Sequence, residues 1–318
     1  MNKGTANGLS RRGFLAGAAG GVLAAGMLAG RAADAEGGWG RLGAPVPREG
    51  DDPAAWAKAH RALGYRAAYC PDVPLKDTDR IRAVEKAFAA EDVVLAEVGR
   101  WCNLMDADPE ARKKNLERVT EGLALAEAVG ARCCVDIAGS FNKESWFGPH
   151  PENLSPAFFD AAVENARKIL DAVKPSRTKF AYEMIGWALP DSAHSYLALM
   201  KAVDRPGFGV HLDPCNAINS PARYYGNTAL LNECFDKLGA WIVSCHAKDL
   251  TWDIEMNVHF REVVPGTGTL DYATLLRRLA TLPQQPPLML EHLANHEEYL
   301  AGAKHIFGVG ADIGVRFE

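Results

Sequence analysis

Four side chains in the second half of the chain have the types and order needed to hold a metal ion. They are Glu183 in FAYEM, Asp213 in VHLDPCN, His246 in SCHAKD and Glu291 in LMLEHL. Each closes a run of apolar residues, and such runs, separated by helical pattern, read as buried parallel strands. The intervals between them, 30, 33 and 45 residues, each leave room for about one strand–helix unit. Strands delivering all four groups from their C-terminal ends converge only if the sheet curves or closes. In a (β/α)8 barrel the meeting point is the mouth. Three carboxylates and one imidazole form a hard donor set, suited to Mn2+ first, with Mg2+ or Co2+ also admitted, rather than to a sulfur-bound zinc. Without a cation, three acids would not share a dry mouth comfortably.

The rest of the chain supplies the elements such a site requires. Strands are expected over 41–46, 65–70, 93–98, 132–138, 178–184, 208–213, 241–247 and 288–291. Helices are expected over 53–63, 78–90, 109–129, 156–173, 192–203, 228–238, 272–282 and 297–311. The helix over 109–129 has the clearest signals, with Pro109 in its first turn, Leu116, Val119, Leu123 and Leu125 at roughly helical spacing, and Gly130 as a stop. Eight alternating units without a Gly-rich phosphate fingerprint favour a single-domain α/β TIM barrel over residues 41–318 rather than a doubly wound sheet. Period-two alternation then places His211 one layer below Asp213, Ser244 below His246 and Met289 below Glu291. His292 should face outward toward the helices, and it is left out of the metal set.

With 318 residues and 48% hydrophobic content the chain can build a substantial core, and no repeat or low-complexity tract interrupts it. A formal charge of −5 gives no electrostatic reason to expect a nucleic-acid partner. Residues 1–35 read as a targeting segment. Ser10-Arg11-Arg12-Gly13-Phe14-Leu15 is a twin-arginine signature, a Gly/Ala-rich stretch follows, and Ala33-Asp34-Ala35 supplies a cleavage site. That stretch is too short and glycine-rich for a stable membrane anchor. The expectation is export to the periplasm or beyond through the twin-arginine machinery. Seven cysteines without a CxxC pair read as small buried hydrophobes, Cys133 and Cys134 pointing to opposite faces of one strand. Export in the folded state would spare them an oxidising folding environment. A homo-oligomer is compatible with the sequence.

The ordered set Glu183, Asp213, His246 and Glu291 resembles the ligand set of the xylose isomerase-like sugar isomerase/epimerase family. The HxKD pattern of His246, Lys248 and Asp249 and the PGTGTLDY stretch from Pro265 to Tyr272 add to the likeness, which spans roughly 41–315. The resemblance implies a metal-dependent enzyme in which Glu183 and Glu291 exchange protons with the substrate while touching the ion. Trp101 and Asn103, in RWCNLMD after the third strand, lie where a barrel places substrate-contact loops; a Trp face suits a sugar ring but equally suits a barrel edge. His211 reads either as a hydrogen-bonded core histidine or as a support or substrate contact. Lys248 should share the inward side of His246 and could hold a substrate oxygen, with Asp249 orienting it or pairing with it. The segment from Leu250 to Pro265 resembles the family's substrate-covering loop, with Arg261 its foremost candidate contact.

Two departures from the family bear on function. Ketose 3-epimerases commonly carry a histidine three residues after the aspartate ligand, where this chain has Asn216, a candidate hydrogen-bond donor to substrate. The related abasic-site endonucleases draw extra histidines from early strands for a three-metal cluster. Here the ends of strands two and three offer Cys70, Asp72 and Trp101. The leading expectation is therefore a divalent-metal-dependent isomerase or 3-epimerase, working through an enediolate on a non-phosphorylated sugar or keto-sugar. A lyase or hydratase acting on 3-keto-glycosides would use the same proton abstraction. A catalytically idle exported sugar-binding protein is the reading from another class.

Overall fold

The computed structural model describes residues 40–317, so the expected signal segment 1–35 lies outside the described residues. Strands β1 (Leu42–Gly43), β2 (Ala67–Tyr69), β3 (Val94–Gly99), β4 (Cys133–Asp136), β5 (Lys179–Glu183), β6 (Phe208–Leu212) and β7 (Ile242–Ala247) follow one another with helices between them. After β7 come β8 (Asp249–Trp252), β9 (Phe260–Val263) and finally β10 (Leu288–Leu290). Eight of these strands close into a parallel barrel in the order β1-β10-β7-β6-β5-β4-β3-β2. This is the TIM-barrel fold, and all eight expected strands are present.

Local signals were enough to start and stop the helices. Asp108 caps Pro109–Val129 by accepting from Glu110 N–H, and Gly130 ends it in the left-handed region at φ 75°. The expected loop over 250–265 is different in kind: β8 and β9 pair as an antiparallel hairpin, Thr251 opposite Arg261 and Leu250 opposite Glu262. Short helices at Pro214–Ala217 and Pro221–Tyr225, unforeseen in the sequence, follow β6 directly.

Large apolar side chains fill the shell between strands and helices, as the continuous hydrophobic runs require. Inside the barrel the floor is narrow, plugged by Ala67, Ala96 and Met289. Gly43 is obligatory there, because a Cβ would lie 2.5 Å from the Ala67 carbonyl oxygen and 2.6 Å from Met289 Sδ. Above the floor the interior becomes polar, with Glu97, His211 and Ser244 fully enclosed. The seven cysteines are unpaired; Cys134 Sγ faces Val119 O on the helix side, whereas Cys133 Sγ faces Ala96 O of β3. Among the described residues no helix is long and apolar enough to cross a membrane.

Candidate metal centre and the cleft above it

At the C-terminal end of the barrel, β5, β6, β7 and β10 form a continuous arc. Glu183 is the last residue of β5, Asp213 follows β6, His246 lies near the end of β7, and Glu291 follows β10. Their ligand atoms all lie within 4.8 Å of one another. The two glutamates stand at the ends of the arc, with the aspartate and the histidine between them. His246 Nδ1 is 2.7 Å from Glu291 Oε1, 2.8 Å from Glu183 Oε1 and 3.6 Å from Asp213 Oδ2. One ring nitrogen carries at most one proton, so it cannot satisfy three carboxylates.

The other face of the same ring explains its orientation. His246 Nε2 lies 3.2 Å from Glu97 Oε2, and Glu97 Oε1 accepts from His211 Nε2 at 2.9 Å and from Ser244 Oγ. With Nε2 donating to Glu97, loss of the Nδ1 proton would leave a lone pair aimed at the carboxylates, the arrangement a metal-ligating imidazole needs. Asp213 Oδ2 and Glu291 Oε1 are buried without a hydrogen-bond donor in suitable geometry. Lys248 Nζ is 2.9 Å and 2.5 Å from these two oxygens but is not directed at either as a hydrogen bond. A hard divalent cation fits this donor set, because it would satisfy both orphaned oxygens and take the place of the Nδ1 proton at once.

Charge is finely partitioned within the cluster. Burial pushes the Glu183 carboxyl up, and His246 and Lys248 offset that only in part. Burial opposes ionisation of Glu291 as well, but there His246 and Lys248 prevail and bring it to about 2. Asp213, equally desolvated, is held well below the usual carboxylate range by Lys248 and His246. Desolvation would lower His246, yet Glu291, Glu97 and Glu183 hold it well above its ordinary value. Desolvation would lower Lys248 too, and Asp213, Glu183 and Glu291 raise it.

The outer candidates divide. Trp101 reaches the cleft at φ 34°, its ring centroid 6.3 Å from that of His246, over space kept open by Gly99. Asn216 lines the cleft and donates to Glu183 Oε1 at 3.1 Å, while its own Oδ1 accepts from Lys248 at 3.3 Å. Lys248 is placed against the carboxylates, as its spacing from His246 implied.

Four expectations, for Asn103, Arg261, His292 and Asp249, are corrected, and the open reading of His211 is narrowed. Asn103 is buried away from the cleft, its amide donating to Ser140 O and accepting from Met105 and Ser140 N–H. His211, read either as a hydrogen-bonded core histidine or as a support or substrate contact, is fully enclosed beneath the centre and bonded to Glu97, in keeping with the core or support role. Arg261 points to solvent and pairs with Asp253 at 2.7 Å; strand alternation instead turns its neighbour Glu262 inward, 3.5 Å from Lys248. His292 does not face the helices: at φ 57° it leaves the strand geometry, lines the cleft and bonds Glu262 at 2.9 Å. Asp249 likewise serves the chain, accepting from the N–H groups of Leu250, Gly266, Gly268 and Leu270, not from Lys248.

Sequence reasoning missed Glu97, although one carboxylate inside the apolar run VLAEVG was a visible anomaly. It also missed Glu262, for which the alternation of β9 was the only available signal. The cleft over the centre measures about 1620 Å³ and is walled by Tyr69, Trp101, Trp146, Phe147 and Trp187.

Comparison with known proteins agrees with this architecture. Residues 56–307 match the family model described as xylose isomerase-like TIM barrel. A xylose isomerase domain protein from Planctomyces limnophilus superposes with a TM-score of 0.63 at 17% identity, over 87% of this chain and 99% of that one. A xylose isomerase-like TIM barrel protein from Mycobacterium smegmatis, in complex with magnesium, gives 0.60 at 20% identity over 87% and 98%. The 3-keto-D-glucoside 4-epimerase of E. coli gives 0.59 at 14% over 86% and 99%. Further structural matches include D-psicose 3-epimerase, endonuclease IV and a probable 3-DHS dehydratase. No curated protein sequence matches this one.

Proposed function

The chain belongs to the xylose isomerase-like TIM-barrel family, and we propose that it is a divalent-metal-dependent isomerase or 3-epimerase acting on a non-phosphorylated sugar or keto-sugar through an enediolate. The observation that carries this reading is the arc of four ligand atoms within 4.8 Å, with a glutamate at each end and an open cleft above. A divalent ion held by Glu183, Asp213, His246 and Glu291 would polarise a substrate carbonyl and stabilise the negative charge that develops on its oxygen. Glu183 and Glu291 are the proton-transfer pair: one, as carboxylate, takes the proton from the carbon beside the carbonyl, and the other, as carboxylic acid, delivers its own proton from the far end of the arc, both being reset by exchange with solvent. Asn216 and Lys248 fix the orientation of Glu183 and supply donors toward substrate oxygens. Trp101 covers the reacting carbons and limits water.

The cleft holds more than one sugar ring, which favours a second reading within the same chemistry. A lyase or hydratase acting on a 3-keto-glycoside would abstract the same proton and then expel or hydrate rather than reprotonate. A phosphodiesterase has no support in the donor set, because the ends of β2 and β3 bring Tyr69 and Trp101 to the cleft instead of histidines. Export by the twin-arginine route belongs to the proposal as well. Replacing Arg11 and Arg12 together by Lys should retain the precursor in the cytoplasm.

The test is solvent-proton exchange in D2O, followed by NMR, on metal-analysed protein given ketoses and 3-keto-glycosides. Deuterium entering the carbon beside the carbonyl, only with divalent metal bound, is the expected result. An epimer or aldose product supports the first reading, and a released aglycone the second. Binding of sugars without exchange would overturn both in favour of an idle binder.

A further inference from the structure

The wall of the cleft carries large aromatic rings besides Tyr69 and Trp101. Trp146, Phe147 and Trp187 keep 39%, 50% and 61% of their surfaces exposed, and all three line the same cleft. The two loops that carry them share one buried amide. Asn153 is fully enclosed; its Nδ2, with two hydrogens, lies 3.1 Å from Gly148 O, 2.9 Å from Ser140 Oγ and 3.1 Å from Trp187 O, and its Oδ1 accepts from Phe141 N–H at 3.0 Å. One side chain thus ties the loop carrying Trp146 and Phe147 to the loop carrying Trp187. Trp187 itself sits with Gly186 at the tip of a tight turn closed by the Ile185–Ala188 bridge. Trp146 and Phe147 meet edge to face, ring centroids 5.1 Å apart.

Resting on the catalytic reading above, we propose that these three rings form a second subsite, which receives a planar apolar aglycone attached to the sugar that reacts at the metal centre. A volume of about 1620 Å³ exceeds the roughly 300–1,000 Å³ of ordinary small-molecule sites and leaves room for a group beyond one sugar ring. The lining beside the aromatics bears on its character. Pro149, Pro151, Leu154 and Ile185 outnumber the polar His150 and Asn219, so a second sugar would find few partners for its hydroxyls. A flat aromatic group would lose only apolar surface to water and gain offset or edge contacts with preset rings.

The experiment compares 4-nitrophenyl and methyl 3-keto-glucosides. In calorimetric titrations of metal-free full chain, where turnover does not compete, the aryl probe should bind about tenfold more tightly than the methyl probe. Initial exchange rates with metal-loaded protein should show a similar preference in kcat/KM. Trp187→Ala and, independently, Phe147→Ala should each remove most of that preference while leaving the methyl probe within about twofold. Equal affinity for the two probes, or a preference unchanged in both variants, overturns the subsite. Variants that change sedimentation but not the aryl preference would identify the wall as a contact between copies and overturn it too. Exchange on free ketoses but on neither glucoside would remove the aglycone and leave the proposed function standing. No exchange on any substrate would remove both.

Discussion

Glu97 and His246 meet across the width of the closed barrel, Oε2 to Nε2 at 3.2 Å, from strands that are not neighbours in the sheet. The contact decides which nitrogen of His246 faces the carboxylates. It therefore couples Glu97, just above the barrel floor, to the carboxylate cluster at the mouth.

Replacing Glu97 by Gln should loosen that link without emptying the barrel. The amide can turn its NH2 toward the ring and favour the wrong tautomer. Mn2+ affinity is expected to fall by about ten- to a hundredfold, read by calorimetric titration, with the far-ultraviolet spectrum unchanged. Unaltered affinity would show that His246 is oriented by packing alone.

Glu291→Gln tests the proton-transfer pair. Exchange of substrate hydrogen with solvent should drop by at least about a hundredfold, measured at equal metal content. Sugar binding should survive, since Lys248, Asn216 and Trp101 are left in place.

On the hairpin, alternation sets two adjacent residues apart. Arg261→Ala removes only an exposed pair with Asp253 and should leave kcat/KM within about twofold. Glu262→Gln takes the anionic partner from Lys248 and His292 and should lower kcat/KM by roughly tenfold. The reverse order of effects would restore Arg261 as the substrate contact.

Asn103 is predicted to matter for stability rather than for substrate. Asn103→Ala leaves Ser140 O and the N–H groups of Met105 and Ser140 without partners in a buried loop. A loss of about 2–4 kcal/mol is expected in denaturant unfolding, with KM unchanged in whatever active protein remains.

Asp136 gives a pH signature. Burial raises its carboxyl to about 7 even though Cys102 and Ile137 donate backbone N–H groups to it. Between an ordinary value of about 4 and that figure, the folded chain keeps a proton that the unfolded chain releases. Stability should therefore fall as pH rises from about 4 to 7, since the native state binds more protons there. Asp136→Asn should flatten the slope in urea titrations across that window.

The amino-acid sequence by itself determined the order of strands and helices, because apolar runs, caps and glycine stops act within a few residues of themselves. It also determined which four side chains end β5, β6, β7 and β10, since each terminates a buried run and the barrel rule sends such ends to one place. What those side chains meet was decided only by closure of the barrel. Glu97 finds His211 and His246 more than a hundred residues away. His292 turns inward because its backbone leaves strand geometry at φ 57°. Glu262 displaces Arg261 because 250–265 pairs into a hairpin whose register no local signal fixes. Local propensity sets elements, whereas polar partners depend on distances that exist only once the sheet has closed on itself.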